Sequence, residues 1–214
     1  MALSKVNFNS LNATPTASKF ITFNSDADGL AAGDVGGSLN LISTATASSS
    51  ANLSFTSGID STYKTYMFKF YNIHPATNNA KFTFNLSIDG GGNYNVTKTT
   101  TMFRASHDED DSGTSFGYVA SQDLAQGTGF QNILQALGTA NDSSGSGYLN
   151  LFEPSSTVFV KHFISRGGQM QENGKSLDGY VSGYGNTTSA VDAVQFKMSS
   201  GNIDSGVIKL YGVS

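Results

Sequence analysis

Cysteine is absent from this 214-residue chain, and charged residues make up only 13% of it. Without cysteine there is no disulfide, no thiolate nucleophile and no cysteine-ligated zinc site. The low charge argues against disorder by self-repulsion, and 15 Phe and 9 Tyr are enough to build a core. Because secreted proteins rich in loops often carry disulfides, we expect assembly in a reducing cytoplasm.

The sequence lacks the usual signals for binding to nucleic acids or membranes. The net charge is −4 and there is no basic patch, so we expect no nucleic-acid partner. Residues 1–10 lack the apolar core of a signal peptide, and no apolar run approaches the length of a membrane span. We therefore expect no membrane partner.

The residues that are abundant favour strands joined by turns. Gly occurs 24 times, and Ser, Thr and Asn are frequent, although all four are poor helix formers. The stretch 62–88 shows the strand pattern most clearly, because aromatic residues alternate with polar ones on both sides of a bend at 74–79. In its second half the pattern predicts Phe82, Phe84 and Leu86 inside, with the residues between them facing solvent.

About nine or ten such strands follow one another without a fixed repeat, which is typical of sandwiches and jelly rolls. The sequence thus predicts an all-β fold, an antiparallel jelly-roll-like β-sandwich, over residues 38–214. Phe82, Phe84, Leu86, Phe196 and Leu210 are predicted to be buried in its core.

One short helix is predicted across residues 129–138. Phe130, Ile133, Leu134 and Leu137 follow one another at the spacing of a helical apolar stripe, and Gly138 is a natural stop. We expect this helix to lie across one end of the sandwich.

Residues 1–37 are polar and poorly periodic, which predicts an extended N-terminal arm. The arm nevertheless carries apolar side chains, and each loses burial worth roughly 1.5–3 kcal/mol if it stays in water. We therefore predict that the arm docks on its own domain or on another subunit. The predicted assembly residues are Val6, Phe8, Phe20, Ile21 and Phe23.

Two acidic segments invite a metal interpretation. The first holds Asp26, Asp28 and Asp34 and is either a calcium loop or a set of turn residues, but the further acidic ligands of a calcium loop are absent. The second, 107–111, is either a metal site or a solvated loop, and consecutive carboxylates that repel one another favour the loop. We predict that no metal or other cofactor is needed.

No constellation of residues indicates catalysis. His162 has no Ser, Cys or Asp placed as in a relay, so a packed, hydrogen-bonded histidine is the preferred interpretation. A glycosidase needs two carboxylates at a fixed distance, and 108–111 is too crowded to suggest them. The chain is therefore predicted not to be an enzyme.

Four tyrosines in loops are candidates for stacking on sugars, although tyrosine also suits any interface. They are Tyr94, Tyr118, Tyr180 and Tyr184.

Two segments carry a family resemblance. They are Phe55-Thr-Ser-Gly-Ile-Asp-Ser-Thr-Tyr63, continuing to Phe68-Lys-Phe-Tyr-Asn-Ile-His-Pro-Ala76, and the closing segment from Phe196 to Val213. Together they resemble virion structural proteins of tailed bacteriophages, especially those of marine and cyanobacterial hosts. The likeness extends in plan over residues 20–214 and is sharp only in these segments, whose motifs are packing and turn patterns.

The resemblance implies a β-sandwich, oligomeric assembly and a non-enzymatic role as a tail-fibre, tail or head-decoration component. It implies a homo-oligomer, with a trimer favoured, that contacts other virion proteins after assembly in a bacterial cytoplasm. A second hypothesis from another class is a glycan-binding adhesin that recognises the host surface. No active-site residue is carried over from the family.

Overall fold

The computed structural model describes residues 20–23, 30–33 and 39–214, and the chain divides into two compact units, 1–38 and 39–214. In the first unit, β1 (Phe20–Phe23) pairs antiparallel with β2 (Leu30–Gly33). Ile21 on β1 is 43% exposed. Val6 and Phe8 lie outside the described residues, and the docking role of the arm stays a prediction.

The second unit consists of antiparallel strands in two sheets. In chain order they are β3 (Leu39–Ser50), β4 (Leu53–Phe55), β5 (Thr65–Pro75), β6 (Ala80–Ser87), β7 (Lys98–Asp108), β8 (Thr114–Tyr118), β9 (Gln131–Leu137), β10 (Gly145–Phe152), β11 (Lys161–Met170), β12 (Lys175–Gly185), β13 (Ala193–Met198) and β14 (Ile203–Val213). The large sheet has the order β3-β14-β5-β10-β11-β12-β7-β8, and the small sheet has the order β4-β13-β6-β9.

The core lies between the two sheets, as the ring contacts across it show. Phe68 of the large sheet approaches Phe196 of the small sheet with ring centroids 5.4 Å apart, and Phe84 meets Phe163 edge to face at 5.0 Å. All five predicted core residues are fully buried, which confirms that prediction. The architecture is all-β and consistent with a β-sandwich.

The prediction that one side of β6 faces solvent was wrong. Thr83, Asn85 and Ser87 are buried together with the apolar residues between them. The loop after β6 and the segment before β9 cover this second face, since the Asn85 amide donates to the carbonyl oxygens of Tyr94 and Thr128. Alternation therefore marked the strand correctly, while hydrogen bonding allowed its polar face to be buried as well.

The predicted helix at 129–138 was also wrong, because residues 131–137 form β9. The apolar spacing arises from a strand whose register shifts, so that strict alternation is interrupted. Ile133 and Leu134 are adjacent and both buried, the pairing with β6 slips around Phe82, and Ala136 has a φ of +48°. In the described part of the chain, no helix is long and apolar enough to cross a membrane.

Candidate binding face

The outer face of the large sheet carries one row of side chains that crosses five strands. The row runs Tyr148 on β10, Arg166 on β11, Tyr180 on β12, Phe103 on β7 and Tyr118 on β8, and each residue lies directly opposite the next. We call these residues the aromatic row. Neighbouring strands are about 4.8 Å apart, so the row spans about 19 Å.

Strand alternation places these side chains outward. On β12, Leu177 and Val181 are buried against the core while Asp178 and Tyr180, between them, are only partly buried. The same alternation on β11 buries Phe163 and leaves Arg166 exposed. Because successive side chains of a strand point to opposite faces, one correct register aligns the entire row.

The middle of the aromatic row is held by stacking and by an ion pair. The Tyr180 ring lies parallel to the Phe103 ring, with centroids 4.7 Å apart and planes 5° apart. From the neighbouring strand on the other side, the Arg166 guanidinium lies 4.7 Å from the centre of the Tyr180 ring. Arg166 also donates to both oxygens of Asp178, at 3.0 Å from Nε and 2.6 Å from Nη2. Both faces of the Tyr180 ring are thus covered by side chains of the protein itself, Phe103 on one side and Arg166 on the other.

Free aromatic surface lies at the β7–β8 end of the row. Phe116 is 76% exposed, Tyr118 57% and Phe103 38%. Phe116 meets Phe103 at 5.8 Å with planes 69° apart, so the exposed rings are not parallel. The Tyr118 hydroxyl donates to the Asp123 carboxylate, which fixes that ring from the loop beyond β8. This edge thus carries three exposed aromatic rings, of which Phe103 and Phe116 are in contact.

An open groove lies beside the other end of the row. Tyr148, Arg166 and Asp178 line it together with Gly168, which faces outward in register with Asp178. A Cβ atom placed on Gly168 would meet nothing within 4 Å, so the missing side chain leaves an open floor. The groove therefore combines a flat base with a charged pair on its wall.

The ionisation states of the side chains on this face do not change around neutral pH. The hydrogen bonds from Arg166 hold the pKa of Asp178 below its usual value, and the same pair raises the pKa of Arg166. Burial and the neighbouring Asp178 raise the pKa of Tyr180, and the hydrogen bond to Asp123 raises the pKa of Tyr118. Asp178 stays ionised and both phenols stay neutral over the physiological range.

This arrangement suits a ligand with apolar faces and several hydroxyl groups. Exposed aromatic faces attract C–H bonds through their negative quadrupole, and carboxylate and guanidinium groups form the stronger hydrogen bonds to hydroxyls. The groove and the aromatic patch lie on one face about 19 Å apart at most.

The four tyrosines named from the sequence fall in two places. Tyr118 and Tyr180 belong to the aromatic row, and Tyr184 lies on the same face, where its ring is 6.1 Å from that of His162. Tyr94 lies in the loop that covers β6, and its hydroxyl is buried without a hydrogen-bond partner among the described residues. His162 was predicted to be packed, but it is exposed, because β11 turns it to the outer face.

The acidic segment at 107–111 spans the last two residues of β7 and the start of the turn that leads to β8. Asp108 makes an ion pair of 2.7 Å with Lys175, and His107 lies 3.1 Å from Asp111. Among the described residues, no three His, Asp or Glu side chains are grouped so that they could hold a metal ion. Asp26, Asp28 and Asp34 lie outside the described residues.

Sequence reasoning missed the remaining members of this face: Phe103, Phe116, Tyr148, Arg166, Gly168 and Asp178. Alternation along β7 and β11 could have assigned Phe103 and Arg166 to a face. Their alignment with Tyr180 depends on which strands are neighbours in the sheet. The pattern within a single strand does not indicate its neighbours.

Comparison with known proteins does not assign the chain to a family. No protein-family model, curated protein or solved structure matches the chain.

Proposed function

We propose that this chain is a non-enzymatic structural protein of a tailed-bacteriophage virion. In this proposal it is displayed on the particle, as a head-decoration or cement protein or as a tail or fibre component. It assembles in the cytoplasm of the bacterial host and contacts other virion proteins. It works as a homo-oligomer, for which the resemblance favours a trimer.

The strand order supports a jelly-roll-like arrangement, which forms part of this proposal. Eight strands can be numbered one to eight along the chain: β3, β4, β5, β6, β9, β10, β13 and β14. In the large sheet four of them read 1-8-3-6, and in the small sheet the others read 2-7-4-5. This order supports jelly-roll pairing, an architecture frequent in viral capsid and lectin domains.

The observation that carries the proposal is where the aromatic row lies relative to those eight strands. β11, β12, β7 and β8 extend the large sheet beyond β10, and they carry every member of the row except Tyr148. Function in shared folds is located in sites added to the scaffold rather than in the scaffold itself. A sheet widened by four strands that present exposed aromatic rings is suited to display and binding.

The two segments of the resemblance also meet in space. β5 and β14, which contain residues 68–75 of the first segment and 203–213 of the second, pair along their length. Phe55, Phe68 and Phe196 form one ring cluster, with Phe55 5.3 Å from Phe68 and 6.1 Å from Phe196. The shared motifs are thus one continuous part of the core, which supports a common fold with the resembling phage proteins.

A second candidate function is a glycan-binding adhesin module for host recognition. The observation that favours it is the pair of features on one face, the exposed rings Phe116 and Tyr118 and the open groove at Gly168. The two functions are compatible, since a virion protein on the particle surface can bind the host glycan.

The virion assignment is tested on particles purified through a density gradient from an infected culture that produces this protein. The proposal predicts that the protein is present at a fixed ratio to the major capsid protein across the particle peak. Its recovery only in the soluble fraction, away from the particles, contradicts the proposal.

The glycan assignment is tested on a glycan array with the purified full-length protein. We expect binding to at least one surface glycan, with affinity reduced about tenfold or more in Gly168→Leu, which fills the groove, and in Phe116→Ala. Phe159→Ala is the matched control, because Phe159 is 69% exposed on a separate loop. Absence of binding to every glycan leaves only the structural role, and equal losses in all three variants contradict this face as the site.

A further inference from the structure

The first strand of the large sheet, β3, presents a long free edge. It contains 12 residues and forms one end of the sheet order, with β14 on its inner side. Within residues 39–214 no strand pairs with its other edge. At the C-terminal end, the Ser48 N–H donates to the Ser50 hydroxyl and the Ser49 carbonyl accepts from Asn202. Among the described residues, no strand pairs with the outer edge of residues 39–47.

This edge lacks the devices that protect sheet edges. Natural edge strands are kept from pairing by being short, or by carrying lysine, other charges or proline. The segment 39–50, LNLISTATASSS, has neither a charged residue nor a proline. It also exposes Leu41, at 56%, and Leu39, at 38%. A strand of this length and composition is a template for pairing with another strand.

The opposite end of the sheet is protected. β8 has only 5 residues, and the acidic turn at 108–111 adjoins it. In the small sheet, the end strand β4 has 3 residues. The large sheet thus has one open edge and one blocked edge, and this asymmetry determines which partner fits.

We propose that β3 pairs antiparallel with β3 of a second copy of this chain, about a two-fold axis, so that the homo-oligomer is a closed dimer in place of the trimer that the resemblance favours. Pairing of the open edge with the β8 edge of another copy would give a ring or an open filament and would use the blocked edge, whereas pairing of β3 with itself uses only the open edge and closes after two copies. Because the strand is uncharged, self-pairing brings no like charges together. Each end of β3 then lies beside the opposite end of its partner.

This dimer has a consequence for the outer face. A two-fold axis that relates antiparallel edge strands runs perpendicular to the sheet, so both outer faces point to the same side. The aromatic rows of the two copies are then presented together on one continuous sheet. Two sites on one side of a rigid body bind a multivalent surface with avidity.

The full-length protein tests this contact by its mass in light scattering. We expect twice the chain mass of 22.5 kDa at tens of micromolar. Thr46→Lys, which places a charge on an exposed position of the edge, should raise the dimer dissociation constant tenfold or more. Thr114→Lys adds the same charge to β8, where Thr114 is also exposed, and should leave the dimer unchanged.

Cysteine cross-linking locates the axis, because the chain has no cysteine of its own. Single substitutions to cysteine at Leu41, Thr44, Thr46 and Ser48 should give disulfide-linked dimers whose yield peaks at one position and falls on both sides. Thr114→Cys should give none. A single-chain mass, a mass of three chains, a dimer unaffected by Thr46→Lys, or no cross-link along β3 would each overturn the proposal. Binding of glycan and presence in the virion are measured separately and do not depend on this outcome.

Discussion

At the scale of single residues, the interior is built on a chain of phenylalanine rings that joins the sheets. Phe84 is completely buried and contacts Phe163 at 5.0 Å and Phe196 at 6.4 Å. Phe84→Ala should lower the free energy of unfolding by about 3–5 kcal/mol, since it removes the ring and leaves a cavity. Denaturant titration measures this loss, with the exposed Phe159→Ala as control at about 0.5 kcal/mol or less. A loss below about 1 kcal/mol for Phe84→Ala would contradict its place in the core.

Lys98 is the interior residue with the clearest effect of pH. It is fully buried, and its ammonium group donates to the Asn85 side chain and, at 2.7 Å, to the Val96 carbonyl oxygen. Burial lowers the pKa of Lys98 from 10.5 to about 7. Between these two values the unfolded chain binds a proton at this side chain that the folded chain does not. Stability should therefore rise with pH from about 7 to 10 and be insensitive to this group at lower pH.

The measurement is the free energy of unfolding at pH 7, 8 and 9. We expect the native chain to gain up to about 1.4 kcal/mol per pH unit from Lys98. Lys98→Met should remove that gain, whereas Lys64→Met, at a largely exposed side chain, should keep it. The same slope in Lys98→Met as in the native chain would show that Lys98 keeps its ordinary pKa.

At the scale of elements, β9 shows why local pattern alone misleads. Its apolar residues fit a helical stripe, yet they belong to a strand that pairs with β6 along one edge and packs on the large sheet. Periodicity within seven residues cannot separate these two cases, because a bulge shifts the alternation. Strands with one clear buried side, such as β5 and β13, were predictable from the same rule.

A glycine substitution distinguishes the strand from the helix directly. Ala136 has a φ of +48°, which favours glycine over alanine. Ala136→Gly should therefore raise the free energy of unfolding by about 0.5–1 kcal/mol, while in a helix the same change costs about 1 kcal/mol. Ala105→Gly in β7, at a position without positive φ, is the control and should destabilise. A loss of stability in Ala136→Gly would contradict the bulged strand.

The Ser/Thr-rich segment 43–50 is another part of a strand that the sequence pattern did not reveal. The segment has no alternation of large apolar residues that would indicate a strand, yet it continues β3 to Ser50. Backbone pairing with β14 supplies the order that side-chain periodicity does not indicate. The open edge of β3 could be recognised only after its partner on the inner side was known.

At the scale of the whole molecule, the all-β class and the core could be predicted from alternation, whereas the binding face could not. The aromatic row brings together residues as far apart as Phe103 and Tyr180, and only the strand order makes them neighbours. Tyr118, Tyr180 and Tyr184 were named as aromatic candidates, but Arg166, Asp178 and Gly168 have no local signal of function. The jelly-roll-like arrangement and the phage assignment stay predictions.

Imaging of labelled particles tests the central claim, that this protein is displayed on a virion with its widened sheet outward. Gradient-purified particles are labelled with an antibody to this protein and examined by electron microscopy. A second antibody preparation, from which the fraction that binds the double variant Phe116→Ala with Gly168→Leu has been removed, reports on the outer face alone. The account predicts regular labelling at one location of the particle by both preparations. Particles that bind neither antibody, while the free protein binds both, would contradict it.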